Sequence, residues 1–69
     1  MQLIPVLVNG ERKEAPLGQS VADLLDWLQL SSDRVAVEMN RCIVRKRDWS
    51  QTMVASGAEI EIVEFVGGG

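Results

Sequence analysis

The chain has 69 residues, of which 46% are hydrophobic and 25% are charged, and its formal net charge is −3. A chain this short folds as one domain with a thin core, which leaves little room for an internal active site. The composition lies far from that of disordered proteins, so a folded structure is expected. The acidic balance argues against nucleic-acid binding, which needs clustered Lys and Arg, and favours proteins as partners.

The residue inventory excludes several classes of enzyme. There is no histidine and only one cysteine, Cys42, so the usual general base, an intramolecular disulfide and a structural zinc site are all excluded. Met1-Gln2-Leu3 lacks the features of a signal peptide, and the apolar run from Leu3 to Val8 is far shorter than the roughly 20 residues of a membrane helix. We therefore expect a cytoplasmic protein without a membrane span, and one that is not a catalyst.

A β-hairpin is predicted at the start of the chain. Ile4, Val6 and Val8 alternate on one face of a strand, which stops at Asn9-Gly10, a pair suited to a type I′ turn. The second strand, about Glu11 to Ala15, is rich in charged residues, as suits an exposed sheet edge.

One amphipathic helix, from about Val21 to Gln29, is predicted next. Ser20 and Asp23 have the spacing of a capping box at its start. The apolar positions follow the i, i+3, i+4, i+7 rule of a one-sided helix: Val21, Leu24, Leu25 and Leu28.

Three further strands follow. After a polar loop at Ser31-Ser32-Asp33, a half-buried strand covers Val35 to Met39, and a short strand, Cys42 to Val44, follows a tight turn at Asn40-Arg41. Residues 45–56 are expected to be irregular or to hold a single helical turn. The last strand is predicted from Glu59 to Val66. Within this strand, Ile60 and Ile62 are expected to face the core. Glu61, Val63 and Phe65 are expected to face the opposite side.

The order of these elements predicts an α+β fold of the β-grasp, or ubiquitin-like, type. One helix covers one face of a mixed sheet of four or five strands, and the first and last strands lie side by side and parallel. The predicted domain covers residues 1–66, and residues 67–69 form a flexible C-terminal glycine tail.

The Gly67-Gly68-Gly69 tail is the most unusual feature of the sequence. Three extended glycines reach at most roughly 10 Å, and they can pass through a channel too narrow for any Cβ atom. A terminal carboxylate, with a reference pKa near 3.3 to 3.7, is ionised at neutral pH and is a poor acyl donor until a partner activates it with ATP. The alternative is that the glycines are an unstructured chain end.

Apolar residues next to the tail indicate a possible docking patch for a partner, formed by Val63, Phe65 and Val66. The alternative, that they are simply β-forming residues under a loop, remains open. Cys42 is interpreted as a small buried hydrophobe rather than a persulfide site. Arg45-Lys46-Arg47 is interpreted as a solvated surface run, and Trp49 as a residue that closes the core.

Several segments of the chain together match one known sequence pattern. They are Val8-Asn9, Gly18-Gln19-Ser20-Val21, Leu24-Leu25, Leu28, Val35-Ala36-Val37-Glu38-Met39-Asn40, Ile43-Val44, Trp49, Gly57, Glu59-Ile60-Glu61-Ile62 and Gly68-Gly69. Through these segments, over nearly the whole chain from Ile4, the sequence resembles the ThiS family, the sulfur carriers of thiamin (thiazole) biosynthesis. The sequence departs from the family pattern at two loop positions: Arg41, where a glycine or another turn residue is common, and Arg45, where a proline is common.

The resemblance implies a cycle run by partner enzymes. A ThiF-like enzyme would adenylate the Gly69 carboxylate with Mg-ATP, sulfur from a cysteine desulfurase would displace AMP, and the resulting thiocarboxylate would donate its sulfur to thiazole synthase. Gly67 and Gly68 would give access, and the chain itself would bind no cofactor. The alternatives are a carrier for another pathway, such as the small subunit of molybdopterin synthase, a ubiquitin-like protein conjugated to lysines, and an interaction module without tail chemistry.

Overall fold

A computed structural model describes residues 2–65, apart from the side chain of Ser32, and it contains five strands and one α-helix. Two 3₁₀ turns, Ser32–Arg34 and Lys46–Asp48, lie in the connections. In chain order the main elements are β1 (Leu3–Val8), β2 (Glu11–Pro16), α1 (Val21–Trp27), β3 (Val35–Met39), β4 (Cys42–Val44) and β5 (Glu59–Glu64).

The five strands form one mixed sheet in the order β2-β1-β5-β3-β4. β1 and β5 are parallel, and the other neighbouring pairs are antiparallel. The connection between the two parallel strands contains α1, as a parallel crossover requires. The predicted α+β fold of the β-grasp type, with β2 as a charged edge strand, is therefore confirmed.

Both predicted hairpin turns have the backbone of a type I′ turn. Asn9 and Gly10 have φ values of 52° and 80°, and Asn40 and Arg41 have φ values of 52° and 71°. Asparagine tolerates this left-handed region and glycine adopts it without strain. Arg41 has a Cβ atom, so its conformation costs about 1–2 kcal/mol, which explains why glycine suits this position better.

The capping box predicted at the start of α1 is present. Ser20 Oγ accepts the Asp23 N–H at 3.1 Å, and Asp23 Oδ2 accepts the Ser20 N–H at 3.1 Å. The helix ends at Trp27, two residues before the predicted end, because Leu28 is its C-cap and Gln29 turns into the left-handed region with φ 62°. Within residues 2–65, no helix has the length and apolar character needed to cross a membrane.

The core lies between α1 and one face of the sheet. Trp49 closes it from the irregular segment, as predicted, and its indole Nε1–H donates to the Val44 carbonyl at 2.8 Å. The buried hydrophobic residues are Ile4, Val6, Val8, Ala15, Val21, Leu24, Leu25, Val35, Val37, Trp49, Val54, Ala58, Ile60 and Ile62.

The prediction that Cys42 is buried is wrong, because its side chain is exposed. Cys42 lies directly opposite Met39 in the β3–β4 ladder, so the two side chains share a face of the sheet. However, β4 is the outermost strand and has a neighbour on one side only, which leaves the small Cys42 side chain without cover.

Two predicted boundaries also differ from the structure. β5 ends at Glu64, and Val66, the predicted end of the strand, lies outside the described residues. The Phe65 N–H nevertheless donates to the Arg34 carbonyl at 2.7 Å, which extends the β3–β5 ladder by one bond. The loop predicted at Ser31-Ser32-Asp33 overlaps the first 3₁₀ turn, where Ser31 Oγ accepts the Asp33 N–H.

Candidate functional site

The structure describes part of the predicted site. Val63 and Phe65 lie in or just after β5, on the sheet face opposite α1, with 58% and 57% of their surface exposed. The other predicted site residues, Val66, Gly67, Gly68 and Gly69, lie outside the described residues. The predicted outward orientation of Val63 and Phe65 is therefore confirmed, while their role in docking stays a prediction.

A shallow groove lies on the uncovered sheet face beside Val63. The ladders place Val63 opposite Ala36, and Ile43 opposite Glu38. The small Ala36 side chain leaves a cavity of about 130 Å³, with Val63 and Ile43 among the residues that line it. Ile43 is 77% exposed, more than any other large hydrophobic residue among residues 2–65. Sequence reasoning missed Ala36 and Ile43, because only the register of three strands brings them to Val63.

The second half of β5 projects beyond its neighbour β1. The two strands pair only where Leu7 and Val8 meet Glu59 and Ile60. Beyond that point the Asn9 side chain takes the place of a strand residue: its Oδ1 accepts the Ile62 N–H at 2.7 Å and its Nδ2 donates to the Ile62 carbonyl at 3.1 Å.

A second asparagine holds the start of β5 from the other side. Asn40 Oδ1 accepts the Glu59 N–H at 3.0 Å, and the Asn40 N–H donates to the Glu59 carbonyl at 2.7 Å. Two hairpin asparagines, Asn9 and Asn40, thus fix the strand that leads to the glycines. The tight turns at these two asparagines were predicted from the sequence. Their side-chain hydrogen bonds to β5 were not, because they join residues far apart in the chain.

The groove has a negatively charged end. Glu38 of β3 and Glu61 of β5 lie directly opposite each other on the uncovered face, and both are exposed. Neither carboxylate forms an ion pair or a hydrogen bond with any of residues 2–65. Opposed like charges on a sheet destabilise it, so this face carries an electrostatic cost that a cationic partner would relieve.

The other residues considered from the sequence are the basic run and the possible metal ligands. Arg45, Lys46 and Arg47 are exposed, as predicted. Among residues 2–65, no three or more Cys, Asp or Glu side chains are grouped so that they could hold a metal ion.

Comparison with known proteins decides which family this arrangement represents. The sequence profile of the ThiS family matches residues 6–69, nearly the whole chain. The chain belongs to the ThiS family. The family includes small sulfur carrier proteins of thiamine biosynthesis.

Individual ThiS-family relatives agree. The chain is 30% identical to the sulfur carrier protein ThiS of Escherichia coli over 93% of this chain and 97% of that one. A crystal structure of the thiamine biosynthesis protein ThiS from Geobacter metallireducens matches with a TM-score of 0.80 and 28% identity, over 96% of this chain and all of that one. These matches confirm the resemblance and the fold predicted from the sequence.

The chain also resembles part of a larger protein. It is 41% identical to a thiazole synthase of Paramagnetospirillum magneticum over 64 residues, which are 93% of this chain and 20% of that protein. A second thiazole synthase, from Magnetococcus marinus, is 34% identical over 19% of its length. The chain therefore spans about one fifth of the length of the thiazole synthases that it matches.

Proposed function

We propose that the chain carries sulfur on the carboxylate of Gly69 for the formation of the thiazole ring. In the first step a ThiF-like enzyme transfers AMP from Mg-ATP to the carboxylate, and pyrophosphate leaves. A cysteine desulfurase takes sulfur from cysteine as a persulfide, and two thiols, such as those of excess cysteine, reduce it to sulfide and leave as a disulfide. The sulfide then attacks the acyl carbon and displaces AMP. The product is a C-terminal thiocarboxylate, which gives its sulfur to thiazole synthase. Mg-ATP is bound by the activating enzyme, and this chain binds no cofactor.

The observation that carries this proposal is the glycine tail that follows the projecting half of β5 in a ThiS-family chain. β5, the last described strand before the glycines, is held on both sides by Asn9 and Asn40. Gly67 and Gly68 lack side chains and so let the tail enter a narrow enzyme channel. Residues 1–66 serve as the recognition domain and residues 67–69 as a flexible arm. Val63, Phe65 and Val66 dock the partner beside it.

The comparisons favour thiazole synthase as the enzyme that receives the sulfur, rather than a molybdopterin synthase system. Two thiazole synthases contain a segment that matches this chain, over 93% of its length in one case and 90% in the other. Because a segment similar to this chain occurs within thiazole synthases, we infer that the carrier and a thiazole synthase act in the same reaction. We place this activity in the cytoplasm, where ATP is available.

Intact-mass spectrometry tests the proposal directly. The native protein is measured before and after incubation with Mg-ATP, a ThiF-type enzyme, a cysteine desulfurase and cysteine. We expect the mass gain of one oxygen replaced by sulfur, located by fragmentation at Gly69. Deletion of Gly69 should abolish the gain, whereas Gly57→Ala, a change at a glycine of a distant turn, should not.

The outcomes separate the alternatives left open by the sequence. If the thiocarboxylate forms and supports thiazole formation by a thiazole synthase, the proposed function is established. If it forms but sulfur passes only to a molybdopterin synthase system, the carrier chemistry stands and the pathway is wrong. If active partners leave the native protein unmodified, the chain is an interaction module.

A further inference from the structure

The groove and the acidic pair on the uncovered face form one continuous feature. The groove is lined by Ala36, Ile43 and Val63, and the Glu38 and Glu61 side chains line it as well. Glu38 is the cross-strand neighbour of both Ile43 and Glu61, so the carboxylates lie beside the apolar walls. We call these five residues the acidic groove.

The size of the acidic groove limits its occupant. Sites for drug-sized ligands occupy roughly 300–1,000 Å³, whereas this groove measures about 130 Å³ and is open to solvent. Such a space suits one long side chain from a partner protein. The apolar walls fit an aliphatic stem, and the two carboxylates fit a cationic head, which is the combination that Arg and Lys provide.

We propose that the acidic groove receives an arginine or lysine side chain of the enzyme that adenylates Gly69. The stem of that side chain lies over Ala36 between Val63 and Ile43. Its charged head bonds to the Glu38 and Glu61 carboxylates and relieves their repulsion. This inference rests on the proposed function, and it names the recognition chemistry that the function needs.

Two considerations favour the adenylating enzyme as the occupant. It must hold the triphosphate of ATP and the carrier carboxylate together, and both call for Lys and Arg around its active site. Val63 lies six residues before Gly69, so the reacting carbon is at most roughly 20 Å of extended chain away. A single enzyme surface can therefore contact the groove and the tail at once.

Steady-state kinetics of carrier-dependent pyrophosphate release test the inference, with a ThiF-type enzyme as the probe. The test variant is Glu38→Gln/Glu61→Gln, which keeps the shape and removes both charges. The matched control is Glu11→Gln/Asp26→Asn, which makes the same change in net charge at exposed positions on β2 and α1. A second test variant, Ala36→Leu, fills the groove without a change in charge.

We expect the charge variant to raise KM for the carrier roughly tenfold, with kcat unchanged because the groove contacts no reacting atom. The increase should shrink as salt is added. The control should change KM less than about twofold, and Ala36→Leu should raise KM as the charge variant does. The charge variant should also unfold at an equal or higher urea concentration than the wild type, which excludes misfolding as the cause.

Several results would overturn the inference. Equal effects of the charge variant and its control would show that only net charge matters, and an unchanged KM for both test variants would show that the groove is not occupied. If the variants leave adenylation intact but weaken binding to thiazole synthase, the occupant is assigned to the wrong enzyme. If the wild type itself supports no pyrophosphate release, the proposed function fails and this inference with it.

Discussion

The Asn9 side chain replaces a missing strand residue next to Ile62, 53 positions later in the chain. Its amide both accepts the Ile62 N–H and donates to the Ile62 carbonyl, so one side chain satisfies the two backbone groups that a longer β1 would have bonded through two of its residues. The hairpin turn that ends β1 thus also supports the half of β5 that leads to the C-terminal glycines.

Substitution of Asn9 should separate its two roles. Asn9→Gly keeps the positive φ of the turn but loses both hydrogen bonds to Ile62, so we expect it to lower the free energy of unfolding by about 1–2 kcal/mol. Asn9→Ala loses the bonds and also strains the turn, and it should cost about 1–2 kcal/mol more. Urea denaturation measures both values. Equal losses in the two variants would mean that turn strain contributes nothing, and no loss in either would mean that the bonds to Ile62 do not stabilise the protein.

The two tryptophans should respond very differently to the same substitution. Trp49 is buried and its indole N–H bonds to the Val44 carbonyl, so Trp49→Phe should lower the free energy of unfolding by about 1–3 kcal/mol. Trp27 is 41% exposed, so Trp27→Phe should cost less than about 1 kcal/mol. Each variant keeps one tryptophan as a fluorescent probe of the transition. A larger loss from Trp27→Phe would contradict the assigned burial.

Cys42 should be chemically accessible in the folded protein. Its side chain is exposed on an edge strand, so a maleimide or disulfide reagent should label it stoichiometrically without denaturant, within a few-fold of the rate in urea. Cys42→Ser should leave the urea midpoint nearly unchanged, because little buried surface is lost. Labelling that requires unfolding would restore the interpretation of Cys42 as a buried residue.

Docking through Phe65 can be tested against a matched hydrophobic residue. Phe65 and Leu3 have similar exposure, 57% and 50%, and threonine retains the preference for β-structure at either position. We expect Phe65→Thr to raise KM in the adenylation reaction roughly tenfold, whereas Leu3→Thr should change it less than about twofold. Urea denaturation of both variants should show losses of less than about 1 kcal/mol. An equal response in KM would show that neither residue marks the docking site.

Local signals in the sequence determined most of the elements. The Asn9-Gly10 pair, the Ser20–Asp23 capping box and the alternation around Ile60 and Ile62 each depend on neighbours within a few residues. These interactions can therefore be predicted from the sequence before any long-range contact is known. The order of elements then restricts the topology, because a parallel pairing of the first and last strands needs the helix in its connection. The family was also evident, since the resemblance extends over nearly the whole chain.

Only the tertiary structure decided features that depend on strand register and sheet edges. The exposure of Cys42 follows from the position of β4 at the edge, which its own sequence does not encode. The bonds between Asn9 and Ile62, and the meeting of Glu38 with Glu61, join residues that are distant in the chain. A shift of one residue in register would send these side chains to the opposite face. The glycine tail could thus be recognised in the sequence, whereas the groove on the uncovered face appears only when the strands are in register.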